Sequence, residues 1–187
     1  MHKLEEALLL AGFDCSRDLR GAAVDLGAAP GAWTEHLSKQ LGPDSTARIY
    51  AVDPAELDPS VLSRPNVRHL QMKGEAAVQV ILEEARALRA SSGDTASASR
   101  DHPVDLIVCD INDHCETTSK IIAPLVPLLR PGGLMVMTMK CRGRGIKREK
   151  EYELVQETLG LKIGRLRSVW TMANTNYERT FLGWKLA

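Results

Sequence analysis

Nowhere does the sequence approach the roughly 20 consecutive apolar residues of a membrane-spanning helix, and its longest apolar runs are strand-sized. Net charge is also missing: 24 Lys and Arg stand against 24 Asp and Glu. That balance disfavours a protein that coats nucleic acid by bulk electrostatics, and leaves a local basic face open. The four cysteines, Cys15, Cys109, Cys115 and Cys141, include no Cys-x-x-Cys pair, and no histidine spacing of the zinc-finger kind occurs. A structural zinc site, or any metal, is therefore not expected. Residues Met1 to Glu6 lack the basic-then-apolar layout of a signal peptide, so reduced thiols and a cytoplasmic location are the expectation. No internal repeat is present. The single low-complexity stretch, 91–101, cannot pack a core and reads as a flexible insertion.

What remains is an ordinary globular composition, 44% hydrophobic and 26% charged, in 187 residues that suit one domain. Short apolar runs alternate with longer helical patterns, the signature of an α/β chain with a parallel sheet. Strands are predicted at 21–27, 47–52, 67–71, 104–109, 134–139, 163–170 and 180–186. Helices are predicted at 4–12, 33–41, 75–89, 121–129 and 149–159, with Pro124 and Pro127 bending or splitting the fourth. The last two strands adjoin without a helix between them, so the seventh is expected to insert antiparallel. A Rossmann-like, doubly wound sheet of seven strands follows, with ligands at the carboxyl ends of the strands.

The strongest local signal is Asp25-Leu-Gly-Ala-Ala-Pro-Gly-Ala-Trp33 at a strand-to-helix turn. Glycines there let the backbone approach a ligand, and a helix N-terminus follows. Asp53 ends the next strand about 20 residues on, where an acid that bonds ribose hydroxyls is expected. The dinucleotide pattern Gly-x-Gly-x-x-Gly is absent, and Gly27-x-x-Pro-Gly31 leaves no spare room for a pyrophosphate. A nucleoside without phosphates fits better, and S-adenosylmethionine is the obvious one. The competing reading is a glycine turn that only packs helix on strand.

These residues closely resemble the first motif of the FtsJ (RrmJ)-type RNA ribose 2′-O-methyltransferases, usually Asp-Leu-Gly-Ala-Ala-Pro-Gly-Gly-Trp. The resemblance covers almost the whole chain. Lys3-Leu-Glu-Glu-Ala7 is most similar to the helix that precedes the motif in the RlmM branch, which methylates a cytidine ribose of large-subunit ribosomal RNA. Val108-Cys-Asp110 resembles the fourth motif, and Met137-Thr-Met-Lys140 the strand ending in the second catalytic lysine. Asn176-Tyr-Glu-Arg179 stands where the family places its glutamate. The resemblance implies a class I methyltransferase fold across 1–187 and a catalytic tetrad of Lys3, Asp110, Lys140 and Glu178. It also implies cofactor contacts from Asp25, Gly27, Ala28, Pro30, Gly31, Trp33, Asp53, Gly74, Glu75 and Asp110. Two departures stand out. Ala32 replaces a glycine, and Ile111-Asn-Asp-His114 follows Asp110 in place of Met-Ala-Pro, so the target-nucleotide pocket is expected to differ. His114 itself reads as an exposed loop residue.

The tetrad makes chemical sense on its own terms. A ribose hydroxyl is a poor nucleophile and must shed its proton as it attacks a sulfonium methyl. Lys140 is the candidate base or orienting group, its pKa lowered by burial and by a second cation, Lys3. Asp110 would hold Lys140 in line, and Glu178 would fix Lys3 or Lys140. Simpler roles compete: Asp110 as a helix cap, Lys140 as a solvated residue, Glu178 in a surface pair with Arg179, and Trp33 as a packing residue. From Lys140 to Lys150 there are six bases (Lys140, Arg142, Arg144, Lys147, Arg148, Lys150) and one acid, read as a mobile loop that contacts RNA phosphates. RNA, ribosomal or otherwise structured, is the expected substrate, with a protein partner helping to select the target. A small-molecule or protein methyltransferase, or a silent cofactor- or RNA-binding scaffold, are the alternatives.

Overall fold

Five runs rich in Val, Ile, Leu and Ala build a parallel sheet: β1 (Ala22–Leu26), β2 (Arg48–Val52), β3 (Val67–Leu70), β4 (Val104–Cys109) and β5 (Leu129–Lys140). Every residue of β1 and β4 is buried, which is why those runs are continuously apolar instead of alternating. Two more strands, β6 (Ile163–Val169) and β7 (Glu178–Lys185), complete the order β3-β2-β1-β4-β5-β7-β6. β7 lies antiparallel between β5 and β6. The expected seven-stranded, mostly parallel sheet with an antiparallel last strand is thus what forms. This computed structural model describes residues 3–42, 45–92, 103–140, 145–160 and 163–186; the 91–101 insertion lies, from 93 on, outside them.

Helices cover both faces. α1 (Lys3–Ala11) and α3 (Ala32–Gln40) lay Leu4, Ala7, Leu8 and Leu37 against Ala23, Ile49, Leu106, Val108 and Val136. On the opposite face α5 (Gly74–Ser92), α6 (Cys115–Ile122) and α7 (Ile146–Gly160) lay Ala77, Ile81, Ile122 and Val155 against Val24, Leu26, Ile107, Met135 and Met137. Neighbouring residues of one strand thereby serve different cores, as the two-residue strand period requires. Cys15, Cys109 and Cys115 are buried, none of them in a disulfide. Among the described residues no helix is long and apolar enough to cross a membrane.

Five elements differ from expectation. The helix predicted at 121–129 is not formed: α6 ends at Ile122, and beyond it only a 3-10 turn, Val126–Leu128, precedes β5. Pro124 and Pro127 lack the N–H that a continuing helix needs. β5 starts five residues early, at Leu129, which pairs with Val104. Two four-residue helices, α2 (Cys15–Asp18) and α4 (Pro59–Leu62), have no counterpart in the prediction, although Asp14 and Asp58 cap them by accepting from the Ser16 and Ser60 N–H groups. α7 begins at Ile146, so Lys147, Arg148 and Lys150 are helical and not part of a loop.

One buried acid ties the sheet together at its amino-terminal edge. Asp105, 4% exposed, accepts from the N–H groups of Arg20 (2.9 Å) and Gly21 (2.6 Å) and from Arg130 Nε (2.5 Å). It thus joins the chain entering β1 to β4 and β5. Asp105→Ala strands these donors and is expected to cost about 3 kcal/mol. Urea unfolding measures this, and a loss under about 1 kcal/mol would contradict the assignment.

Candidate active site

Sheet order reverses between β1 and β4: from β1 the sheet runs back to β2 and β3, and from β4 onward to β5. A crevice at the carboxyl ends of such strands is where open α/β sheets hold ligands. The turn after β1 is built by Gly27 (φ +73°) and Gly31 (φ +122°). A Cβ on Gly27 would come within 2.8 Å of Ile111 Cγ1, and one on Gly31 within 2.8 Å of Val61 Cγ2. Backbone shape and close packing against the chain itself therefore both demand glycine here. Asp53 braces the turn: Oδ2 accepts from Ala29 N–H (3.1 Å) and Oδ1 from Ala55 N–H (2.8 Å). A carboxylate has further lone pairs, so Asp53 can still take a ligand's hydroxyls.

The other motif residues are placed as follows. Ala28 is buried with Ala51, Leu57 and Val61. Pro30, joined to Ala29 by a cis bond, precedes the Gly31 N-cap and so lies outside the first turn of α3. Trp33 is half-buried and packs on the core that α1 and Leu37 share. Gly74 opens α5 against Ile121, whose Cγ2 a Cβ would meet at 2.6 Å, and Glu75 is exposed in the first turn. Asp25 is 1% exposed and accepts from Thr34 Oγ1 at 2.6 Å. Burial pushes its carboxyl up to about 7 against the Thr34 bond, with Asp110 and Asp53 adding repulsion. A cation bound nearby would favour the ionised form of Asp25 and bring its carboxyl back down.

Beside the crevice, the four tetrad residues close a ring. Lys140 Nζ donates to Glu178 Oε1 (2.6 Å) and Asp110 Oδ1 (3.0 Å). Lys3 Nζ donates to Glu178 Oε2 (3.1 Å) and lies 3.7 Å from Asp110 Oδ2. Four elements bring them there. Lys140 and Glu178 face each other in the β5–β7 register, Asp110 follows β4, and Lys3 is the first residue of α1. Thr175 N–H, which no sequence pattern flagged, fixes Glu178 Oε2 at 3.0 Å. Of the simpler roles, packing is observed for Trp33, and those weighed for the tetrad residues are not. His114, not Asp110, caps α6, the Lys140 side chain is only 18% exposed, and Arg179 Nη1 donates to the Glu178 backbone carbonyl.

Electrostatics corrects one expectation. Burial works to lower the Lys140 pKa, but the bonds from Glu178 and Asp110 outweigh it and leave it raised above its usual 10.5. For Glu178, burial works upward, and Lys140, the Thr175 N–H and Lys3 overcome it, holding the carboxyl at about 2. The two acids dominate the second cation, so Lys140 rests as an ammonium. His114 is likewise not an exposed loop residue: Nδ1 accepts from Glu116 N–H (3.4 Å) and Nε2 lies 3.2 Å from Glu151 Oε1. His114, Cys115 and Glu151 offer ligand atoms within 4.8 Å of one another; as they stand, they tie α6 to α7. Of the proposed RNA contacts, Lys147 is exposed on α7 and Arg148 Nη2 reaches the Asn176 carbonyl at 3.5 Å. Arg142 and Arg144 lie outside the described residues.

A family model described as "FtsJ-like methyltransferase" matches residues 1–162. The chain belongs to the FtsJ-like methyltransferase family. Among curated relatives, "Ribosomal RNA large subunit methyltransferase M" of Methylococcus capsulatus is 33% identical over 123 residues, 65% of this chain and 28% of that protein. Its namesake in Xylella fastidiosa (strain 9a5c) is 43% identical over 76 residues, 38% of this chain and 20% of that protein. The matched stretches thus span between a fifth and under a third of these relatives. Among solved structures, Aeropyrum pernix fibrillarin, "in complex with natively bound S-adenosyl-L-methionine", superposes with a TM-score of 0.59 at 20% identity, over 96% of this chain and 74% of that one. The Methanococcus jannaschii fibrillarin pre-rRNA processing protein gives 0.61 at 17%, over 94% and 70%. These two likenesses establish the shared Rossmann-like methyltransferase fold.

The two perturbed acids act on stability in opposite directions. Glu178 ionises more readily folded than unfolded, so its contribution is complete above about pH 5 and is lost as pH falls toward 2. Asp25 holds its proton more tightly when folded, so its contribution declines as pH rises from about 4 to 7. Urea midpoints are expected to fall less on acidification from pH 5 to 3 in Glu178→Gln than in the wild type. Asp25→Asn should gain relative stability at pH 8 over pH 5. Parallel pH profiles for wild type and variant would refute either assignment.

Proposed function

We propose that residues 1–187 form one S-adenosylmethionine-dependent methyltransferase unit that modifies a ribose 2′-hydroxyl of RNA, ribosomal or otherwise structured. The observation that carries this reading is the closed ring of Lys3, Asp110, Lys140 and Glu178 beside a crevice suited to a cationic nucleoside. Asp110 belongs to both, since its N–H donates to the Leu26 carbonyl at the end of β1. Family membership and relatives named for ribosomal RNA methylation support it.

The residues present fit the cofactor. Asp53 would take ribose hydroxyls, the Gly27–Gly31 turn would line the nucleoside, and Gly74-Glu75 would flank the adenine. Asp110, and Asp25 where it is ionised, supply a negative field that suits a sulfonium and an ammonium. When bound, S-adenosylmethionine would supply an electrophilic methyl group. Lys140 donates a hydrogen bond to the ribose oxygen and turns a lone pair of it toward that methyl. Asp110, the more open of the two acids at 31% exposure against 11%, accepts the hydroxyl proton and passes it to water. Glu178 and Lys3 keep Lys140 charged and in place. Alignment of the two reactants can supply about 7 to 11 kcal/mol of the barrier.

Arg142, Arg144, Lys147 and Arg148 would contact phosphates and position RNA without reading sequence. With no excess of positive charge, target choice falls to substrate shape or to a protein partner in the cytoplasm. Incubation with tritiated cofactor and fractionated RNA, followed by alkaline hydrolysis, tests the reading. Label is expected in alkali-resistant dinucleotides, and label on a base would overturn it. Lys140→Ala should lower turnover by about 10²- to 10⁴-fold while cofactor affinity is retained; unchanged turnover would remove Lys140 from the mechanism.

A further inference from the structure

The segment between β6 and β7 exposes an apolar surface beside the ring. Trp170 is 48% exposed, Met172 81% and Tyr177 49%. Exposed side chains of this size in one eight-residue span, in a chain with only eight aromatics, call for an explanation. The segment is well anchored. Thr171 and Asn174 are buried, Thr171 Oγ1 lies 3.4 Å from Thr180 Oγ1, and Asn174 bonds the same hydroxyl. Met172 N–H donates to Glu6 Oε2 at 2.8 Å, which fastens the segment to α1. The exposed side chains therefore stand on a held frame.

Cations interleave with this surface. The Arg179 guanidinium lies 4.2 Å from the centroid of the Trp170 ring, and its Nη1 donates to the Glu178 carbonyl at 2.6 Å. Arg148 Nη2 reaches the Asn176 carbonyl from α7. Tyr177 and Arg179 flank Glu178, the acid that both lysines of the ring share. Aromatic faces interleaved with guanidinium groups are how proteins hold unpaired nucleotides: bases stack on the rings while cations follow the phosphates.

We propose that Trp170, Met172 and Tyr177, with Arg179 and Arg148, form a stacking platform for the unpaired nucleotides next to the one methylated. The platform rests on the reading of the ring as a ribose methylation site and specifies the substrate there as single-stranded RNA. A base pinned beside Glu178 would hold its neighbour's ribose at Lys140. The positive charge of Arg148 and Arg179 favours RNA as occupant over an apolar protein partner.

The test compares wild type with Trp170→Ala, Tyr177→Ala and the conservative Trp170→Phe. Probes are an unstructured 12-nucleotide RNA and a hairpin duplex of equal composition. Binding is read by filter retention, without turnover, and methylation of fractionated ribosomal RNA at saturating cofactor gives kcat and KM separately. The alanine variants are expected to bind the unstructured RNA about tenfold or more weakly. Their KM for RNA should rise while kcat and cofactor affinity hold, Trp170→Phe should recover most of the loss, and the duplex should bind weakly to all four proteins. Unchanged RNA affinity and KM in both alanine variants would overturn the platform, as would equal loss on the duplex. Capture of a protein by the wild type with no RNA effect would also overturn it. If the wild type binds unpaired RNA through Trp170 but labels no ribose, the methylation reading fails and the platform stands.

Discussion

Two ammonium groups and two carboxylates meet within hydrogen-bond reach where α1, β4, β5 and β7 converge. That neutral ring sets the conditions for everything around it. Each charge is partly withdrawn from water, and removing any one would leave an opposite charge stranded. The ring therefore fastens the first described residue of the chain to its last strand, across 175 positions, while holding Lys140 at the sheet edge. Structure and chemistry share the same contacts.

The charge state follows from that arrangement. A lysine beside another lysine would ordinarily lose its proton more easily, yet the two acids more than compensate, and Lys140 is raised. An ammonium orients and polarises an oxygen but cannot take its proton, so in the proposed mechanism the proton goes to an acid of the ring. The same geometry separates the crevice from the ring in character. Asp25 is an acid without a cation, pushed up to about 7, whereas Glu178 is held at about 2 by cations on two sides. A cationic ligand relieves the first, and the second needs none.

Much of this was legible beforehand because the responsible signals are local. Continuous apolar runs marked the buried strands, and the glycine-rich turn marked the crevice. Helix 121–129 was misplaced because apolar spacing outweighed two prolines whose missing N–H groups end a helix, while the cap that begins α6 is a histidine and not one of the usual oxygen-bearing residues. The platform at Trp170–Tyr177 was invisible for a different reason. Exposure of an apolar side chain is a property of the packed molecule, and nothing in the order of residues distinguishes Trp170 from the half-buried Trp33.

The sequence by itself determined the strand and helix alternation and the glycine turn with its acid at the next strand end, while the four tetrad residues came from the family resemblance. Those features depend on neighbours within a few positions, where periodicity, glycine torsions and proline act directly. Only the tertiary structure decided that the four charges close into a ring, which way the Lys140 pKa moves, and that His114, not Asp110, caps α6. The reason is that charge and hydrogen-bond energies depend on distances between elements far apart in the chain, set by the β5–β7 register and by the docking of α1.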